Sequence, residues 1–342
     1  MKAISNMKLS DIAFLWLFAA EFTFYLLILQ TGIVEYHHSD MSQIWMVPVG
    51  GVLGIVASIF VHKEREWLIP IVLLLQLLLS LDYANANSVE LFLLGLISGL
   101  TAPMLIARID KFWIATIALA LSYTYGTYYF DVPAAQRTNI ALFLSLVAFL
   151  SSLFAQMQTL KKSTLHPTIY SVGSIFLWLL LDAALFETLS RNEVMHLWGD
   201  SGFTWNIVIF HIIGLVVAYK AISWKHNNSV LLILFTLTYT LYSLGWQLGL
   251  SIIYPFVISY YNVIILKELT RLPYAFLAVM ALSLWGASGL GLLVALGENF
   301  MVAWIVLVLL AIIEVAKMSN IPLYRTIEDL FSTYTTLLSR RS

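Results

Sequence analysis

The stretch Phe14–Leu17 reads Phe-Leu-Trp-Leu and leads to Glu21, and the same four residues recur as Phe176–Leu179, which lead to Asp182. The two copies are offset by 162 residues, and the acid stands within one position of the same place in each. Self-similarity at a fixed offset is the signature of a duplicated architecture. We therefore predict that the chain consists of two halves, each of which opens its first apolar segment in the same way.

A second match supports the duplication. Trp45 is followed nine residues later by Gly54, and Trp205 is followed nine residues later by Gly214, at an offset of 160 residues. Leucine-rich segments match one another by chance, but two matches at nearly one offset favour a repeat of six apolar segments followed by six more. Because six is an even number, the two halves have the same orientation in a membrane, as parallel repeats require.

The composition excludes several classes of protein. Of 342 residues, 61% are hydrophobic and 11% are charged, and the mean hydropathy is +0.88. Soluble domains carry roughly 25% charged residues, so a soluble enzyme and a disordered protein are excluded. A net charge of -1 provides no basic field for nucleic acid, and the absence of Cys excludes a thiolate metal site or nucleophile. We expect neither enzymatic activity nor a cofactor.

Apolar runs of roughly 20 residues cross the hydrocarbon core of a bilayer as helices. We predict twelve such spans, at about 11–34, 43–62, 67–84, 89–108, 112–130, 139–159, 168–189, 204–223, 229–246, 248–267, 274–296 and 299–317. The predicted fold class is all-α: a polytopic membrane protein with about 12 transmembrane helices in two pseudo-symmetric six-helix halves. The halves comprise residues 1–160 and 161–318, and residues 319–342 form a polar cytoplasmic tail.

The basic residues predict the orientation. If the N-terminus is cytoplasmic, 16 of the 18 Lys and Arg residues fall in inside segments, and only Arg137 and Arg191 fall in outer loops. This excess is what the positive-inside rule expects. We therefore predict an integral protein of the bacterial inner membrane with both termini in the cytoplasm, and no Lys or Arg within a span.

The loop between the second and third spans, residues 57–66, contains the basic residues Lys63 and Arg65. With twelve spans, two six-helix halves, cytoplasmic termini and this loop, residues 10–318 resemble the major facilitator superfamily as a compact, divergent member. The loop lacks the Asp and the second Gly of that family's usual motif. The resemblance implies secondary transport by alternating access, with the first and seventh helices facing each other across a central cavity.

Two acids are predicted to lie inside spans, where an unpaired charge costs at least a few kcal/mol. Glu21 and Asp182 are the candidates for exchanging a proton or holding a cationic substrate, and His211 is a candidate proton relay. The competing interpretation is that protonated acids and a neutral His only hold helices together by hydrogen bonds. Glu187 and Glu314 lie near span ends, where we expect them to reach water.

Polar aromatic residues cluster in the fifth, ninth and tenth spans. Of these clusters we predict that Tyr125, Tyr239, Tyr260 and Asn262 line the cavity, because Tyr rings hold apolar or cationic groups and hydroxyls fix their orientation. Small residues at 286–291 in the eleventh span predict a closely packed or bending stretch.

The outer loops carry His37, His38 and Met41 after the first span, and Met195 and His196 after the seventh. Imidazole together with thioether suits copper better than magnesium or calcium. Outer-loop His residues are more often only solvated, so we assign no metal site and keep these five as weak candidates.

The sequence thus predicts a secondary active transporter of a small neutral or cationic, partly apolar solute, coupled to protons through the membrane carboxylates. Its partners are the lipid bilayer, the solute and protons, and no nucleic acid. Two alternatives stay open: a non-transporting subunit or assembly factor of a larger membrane complex, and a copper or other metal importer. Phosphorylated solutes are disfavoured because they need buried cationic partners.

Overall fold

The computed structural model describes residues 7–30, 45–61, 67–155, 169–191, 195, 197, 198 and 202–319. Within these residues the protein forms twelve α-helices and no β-strand, which confirms the all-α fold class. The helices are α1 (Leu9–Phe24), α2 (Met46–Val61), α3 (Leu68–Leu79), α4 (Ser88–Ile106), α5 (Phe112–Tyr128), α6 (Ala134–Phe154), α7 (Ile169–Arg191), α8 (Thr204–Ala221), α9 (Asn227–Ser243), α10 (Gln247–Leu269), α11 (Tyr274–Leu296) and α12 (Met301–Met318). Two of them continue in another helical form, α1 as a π-helix at Tyr25–Gln30 and α3 as a 3₁₀ helix at Ser80–Asn85.

The described helices have the dimensions and the surfaces of membrane spans. Nine helical segments are long and apolar enough to cross a bilayer, and α2 is apolar but shorter. Five Trp side chains at or next to helix ends are more than half exposed, as expected for aromatic belts at the membrane surface: Trp45, Trp67, Trp205, Trp224 and Trp246. The chain is therefore an integral membrane protein.

Local sequence explains where the helices begin and end. Asn87 caps α4, because its side chain accepts hydrogen bonds from the Val89 and Glu90 amides at 2.9 and 3.2 Å. The Glu90 carboxylate accepts in return from the Asn87 amide at 2.7 Å, which completes a capping box. Between α9 and α10 the chain turns within three residues at Gly245, whose φ of 69° suits glycine.

The chain divides into two compact units, Met1–Lys161 and Lys162–Ser342. Each contains six of the described helices, and the helices pack within each unit in a similar pattern. In the first unit α2 packs against α4 and α1 packs against α5, while in the second α8 packs against α10 and α7 packs against α11. The predicted tail, residues 319–342, lies outside the described residues except for Ser319.

Helices α2 and α4 meet backbone to backbone through two pairs of glycines. A Cβ atom on Gly50 or Gly54 would overlap the carbonyl groups of α4, and a Cβ atom on Gly95 or Gly99 would overlap those of α2. On Gly99 it would lie 2.8 Å from Gly51 Cα, and its shortest contact would be with the Gly51 carbonyl oxygen. In both helices the glycines are four residues apart, the spacing that lets membrane helices approach most closely.

The second unit repeats this close packing with single glycines. A Cβ on Gly214 of α8 would lie 2.6 Å from the Phe256 carbonyl oxygen of α10, and one on Gly291 of α11 would lie 2.6 Å from Ala183 Cβ of α7. Gly286 and Gly289 have nothing within 4 Å of that position. The predicted close packing of residues 286–291 is thus found at Gly291, which contacts Ala183, the residue after Asp182 on α7.

The sequence predicts an outer-loop position for Arg137, and this prediction is wrong. α6 begins at Ala134, five residues earlier than predicted, so Arg137 lies in its first turn, and it is 1% exposed. Its guanidinium donates hydrogen bonds to the carbonyls of Leu27, Phe130 and Val132 at 2.6, 2.9 and 3.3 Å. Leu27 belongs to the π-helical end of α1, where hydrogen bonding departs from the regular α-helical ladder and outside donors can engage carbonyls.

Replacement of this arginine is expected to loosen the end of α1. Arg137→Met leaves buried carbonyls without their charged donor, and the expected loss of unfolding free energy is about 1.5–3 kcal/mol. Arg271→Met is the matched control, because Arg271 is exposed and its ion pair with Glu268 at 2.9 Å is a surface pair, worth about 1 kcal/mol at most. Thermal unfolding in detergent checks the difference, and equal midpoints for the two variants would contradict it.

Candidate functional site

In the first unit, Glu21 of α1 is the centre of a polar cluster. Its Oε1 accepts a hydrogen bond from Gln76 Nε2 of α3 at 2.7 Å, and its Oε2 lies 3.5 Å from Thr101 Oγ1 of α4. Gln76 and Thr101 are each 1% exposed, whereas Glu21 is partly accessible. The acid is thus held from behind by two buried side chains, and it has no ion-pair partner among the described residues.

Two serines extend this cluster to α6. Gln76 Nε2 lies 3.5 Å from Ser145 Oγ, and Ser145 Oγ lies 2.9 Å from Ser80 Oγ, so amide and hydroxyl groups connect α3 with α6. Both serines are fully buried. Buried polar groups in a membrane must satisfy one another, and this network fixes the position of the amide that holds Glu21.

The hydroxyl of Thr101 has its proton committed elsewhere. It donates to the Ile97 carbonyl at 2.9 Å, within its own helix, and the Ser98 carbonyl lies at 3.3 Å. A hydroxyl has one proton and two lone pairs. Once the proton goes to the nearer carbonyl, Thr101 Oγ1 presents lone pairs to Glu21 Oε2, which suits a protonated carboxyl group that donates to it.

In the second unit, Asp182 of α7 has a different environment. The Tyr261 hydroxyl of α10 donates to its Oδ2, and the Tyr254 hydroxyl of the same helix lies 3.0 Å from both its Oδ1 and its backbone carbonyl oxygen. Tyr254 and Tyr261 are seven residues apart and therefore lie on one face of α10. Asp182 has no ion-pair partner among the described residues. The Tyr254 hydroxyl has one proton, which Oδ1 and the Asp182 carbonyl oxygen share, and the Tyr261 hydroxyl is the donor to Oδ2.

Aromatic rings surround the phenols that hold Asp182. Trp178, one helical turn before Asp182, stacks on Phe235 with ring centroids 5.3 Å apart, and Phe235 packs on Tyr261 at 5.8 Å. On the other side, Trp198 meets Tyr254 edge to face at 5.9 Å. The carboxylate of the second unit is thus placed among aromatic side chains, and the carboxylate of the first unit among amide and hydroxyl groups.

The candidate relay His211 joins two helices. Its Nδ1 lies 2.8 Å from Ser259 Oγ of α10, and the ring is 2% exposed. The position lies one turn from Gly214, where α8 and α10 approach most closely. No hydrogen bond links His211 to Asp182 among the described residues, because the contacts of Asp182 are those with the two phenols. The proton-relay role of His211 stays a prediction. Its contact with Ser259 matches the competing interpretation, in which a neutral His holds two helices together.

The four residues predicted to line a cavity occupy different environments. Tyr125 is 39% exposed and stacks on Tyr129. Tyr239 is fully buried, and its hydroxyl donates to the Leu181 carbonyl at 2.7 Å, next to Asp182. Tyr260 is buried as well, and its hydroxyl donates to Asn227. The Asn262 amide donates to the Ile258 carbonyl of its own helix at 2.9 Å. Of the four, Tyr239 therefore lies nearest to a candidate carboxylate.

Two further acids are buried, contrary to the prediction that they reach water. Glu187 is 5% and Glu314 is 7% exposed. Glu314 accepts a hydrogen bond from Ser229 at 2.8 Å, and its other oxygen lies 4.0 Å from Lys317 Nζ. Neighbouring helices bury both carboxyl groups, and a position near the end of a span does not reveal this packing.

The metal candidates lie mostly outside the described residues: His37, His38, Met41 and His196. Met195 is described, and it lies beside Gly245 in the turn between α9 and α10. Within the described part of the chain, no three His, Cys, Asp or Glu side chains come together in a group that could hold a metal ion.

No protein-family model and no curated protein matches the sequence. Among solved structures, the chain is similar to a crystal structure described as a bacterial homologue of the iron transporter ferroportin in an outward-facing state. The TM-score is 0.59 at 12% sequence identity, and the match covers 96% of this chain and 100% of that one. At this identity the likeness shows the fold alone, which the two chains share over nearly their whole lengths.

The partners of the two acids are what sequence reasoning missed. Gln76, Thr101 and Ser145 are single polar residues in apolar helices, and no local pattern connects them with Glu21. Tyr254 and Tyr261 carried a detectable signal, because their seven-residue spacing places both on the face of α10 that could meet one acid.

Proposed function

We propose that the protein is a proton-coupled secondary transporter of a small, partly apolar solute, neutral or cationic. One observation carries the proposal. The first helix of each unit presents a partly accessible carboxyl group that lacks an ion-pair partner in the described residues and is held by buried donors from other helices. Such a group inside a membrane is costly, and it is by default a functional candidate.

The two acids are assigned different roles because their donors differ. Glu21 is the proton site: Gln76 donates to one oxygen, and Thr101 offers lone pairs to the other, so the cluster accommodates a protonated acid. Asp182 is the solute site: the Tyr261 hydroxyl donates to Oδ2, and the Tyr254 hydroxyl is shared between Oδ1 and the Asp182 carbonyl oxygen, so the cluster accommodates a carboxylate that can attract a cation.

The fold supports transport as the activity. The protein similar in fold is named as a homologue of an iron transporter and was captured in an outward-facing state. Alternating access is the mechanism we adopt for this chain, with Glu21 taking up the proton on one side and releasing it on the other. Asp182 stands as a single acid among aromatic groups, and the described residues contain no group of three His, Cys, Asp or Glu side chains that could hold a metal ion, so the proposal does not extend to metal transport.

Reconstitution tests the proposal. Purified protein in proteoliposomes is expected to take up at least one solute from a panel of amines, neutral apolar solutes and metal cations including copper, when a pH gradient is imposed. Uptake should collapse when a protonophore removes the gradient, and protein-free liposomes are the control. Silence across the panel would overturn the proposal and favour a non-transporting subunit of a larger complex. Uptake of metal cations alone would favour the importer alternative.

A further inference from the structure

We propose that Asp182 and the aromatic side chains around it bind a monovalent organic ammonium ion that carries at least one N–H group. That this site holds the transported solute rests on the proposed transport function, whereas the binding of ammonium does not. Its occupant is defined by the charge, the open hydrogen-bonding positions and the ring faces in the second unit.

The charge of the site matches a single positive ion. Asp182 is the only acid in the cluster, and no Lys, Arg or His among the described residues neutralises it. Its carboxylate has about four lone-pair positions, of which the Tyr254 and Tyr261 hydroxyls occupy two. The other two are open to the N–H donors of a bound ammonium group, and Asp182 is itself partly accessible.

The rings supply the second element of recognition. Trp178 stacks on Phe235, which meets Tyr261 at a tilt, and Trp198 meets Tyr254 edge to face. Tyr261 and Tyr254 join these two aromatic groups to Asp182. The faces of Trp and Tyr rings attract ammonium groups within about 6 Å, and they also cover the apolar part of an organic cation. A bare metal ion gains nothing from this apolar cover.

The Trp178 indole supplies a third element. Trp178 is 2% exposed, and its Nε1–H is buried without a hydrogen-bond acceptor in the described part of the chain. An unsatisfied buried donor in a native structure needs an explanation. Because Trp178 and Asp182 are four residues apart on α7, they lie on the same helix face. A ligand bound at Asp182 can therefore satisfy this indole if it carries an acceptor such as a hydroxyl group.

The cluster around Glu21 provides a contrast within the same molecule. Its hydrogen-bond partners among the described residues are an amide and a hydroxyl group, whereas those of Asp182 are phenols. The groups that hold the two acids therefore differ in chemistry.

The test is calorimetric titration of the purified full-length protein with n-butylammonium and three comparison probes. These are n-butanol, which has a similar size and no charge, butyltrimethylammonium, which has the charge and no N–H group, and Mn²⁺, a bare metal cation. We expect n-butylammonium to bind. The quaternary ion should bind at least about tenfold more weakly because it lacks N–H donors, and butanol and Mn²⁺ should give no binding that depends on Asp182. Asp182→Asn should weaken n-butylammonium binding at least about tenfold, while Glu268→Gln, the matched control at an exposed acid paired with Arg271, should leave it within about twofold.

A second measurement serves if Asp182→Asn does not fold. Binding of n-butylammonium should change the Trp fluorescence of the wild type, and Trp178→Phe, which keeps an aromatic ring, should remove most of that change. Equal affinity for butanol and butylammonium, or binding of Mn²⁺ that Asp182→Asn abolishes, would overturn the ammonium site. Transport of another solute without ammonium binding would overturn the ammonium site and leave the transport proposal standing. Ammonium binding without any transport would overturn the transport proposal and leave the ammonium site standing.

Discussion

Gly99→Ala is expected to reduce the yield of folded protein severely, although it adds a single methyl group. The new Cβ would overlap the Gly51 carbonyl group of α2 and lie 2.8 Å from Gly51 Cα. Both neighbours are backbone atoms of a helix, so no side chain can rotate away. Overpacking a tight interface costs about 1–3 kcal/mol and more when the backbone must move, and here α2 and α4 would have to separate along their length. The expected loss is at or above the upper end of that range.

The control for this prediction lies in the same chain. Gly286 and Gly289 are exposed positions in α11 with nothing within 4 Å of an added Cβ, and Ala is a better helix former than Gly. Gly286→Ala and Gly289→Ala should leave the unfolding midpoint unchanged or slightly raised. The measurement is the yield of monodisperse protein in detergent and its thermal midpoint. A Gly99→Ala protein as stable as the two controls would mean that α2 and α4 do not pack as described.

Glu21→Gln is expected to abolish uphill transport while leaving the protein folded. Gln has the shape of the protonated acid: its oxygen can accept from Gln76 Nε2, and its amide can donate to the lone pairs of Thr101 Oγ1. The variant therefore mimics a site that never releases its proton. For one proton per solute, a pH gradient of one unit supports about tenfold accumulation, and this should fall to none.

Exchange separates loss of coupling from loss of function. When labelled solute outside is exchanged for unlabelled solute inside at equal pH, Glu21→Gln should retain exchange, because no net proton movement is needed. Glu268→Gln is the control, since Glu268 is an exposed acid paired with Arg271, and it should behave as the wild type in both assays. If Glu21→Gln still accumulates its solute tenfold, Glu21 does not carry the coupling proton.

Both predictions follow from a duplicated architecture whose halves have diverged in chemistry. The close approach of α2 to α4 corresponds to that of α8 to α10, and Gly54 and Gly214 stand at matching places in the repeat. The acids on α1 and α7 also correspond, but their partners do not: Gln76 and Thr101 hold Glu21, and two tyrosines hold Asp182. The two halves therefore hold an acid at corresponding places with different partners, and the proposed division of roles between proton and solute rests on that difference.

The helices could be read from the sequence because a bilayer imposes a length and a polarity on each one. Every described helix coincides with a predicted span, and the largest displacement of a helix start, five residues at α6, arose where polar residues open the helix before the apolar run begins. Arg137 was misplaced for the same reason. Hydropathy registers a guanidinium as exposed, and it cannot register that carbonyls at the end of α1 are available to receive its hydrogen bonds.

The sequence by itself determined the membrane fold, its repeat and the two acids, because these depend on composition, period and the rarity of charge within apolar runs. Only the tertiary structure decided what surrounds each acid, since Gln76, Thr101, Tyr254 and Tyr261 reach Glu21 and Asp182 from helices distant in sequence. It also decided that α2 and α4 touch through their backbones. Hydrogen bonds and steric contacts depend on distances between atoms, and packing sets those distances. The same acidic residue type therefore has amide and hydroxyl neighbours in one half and phenol neighbours in the other.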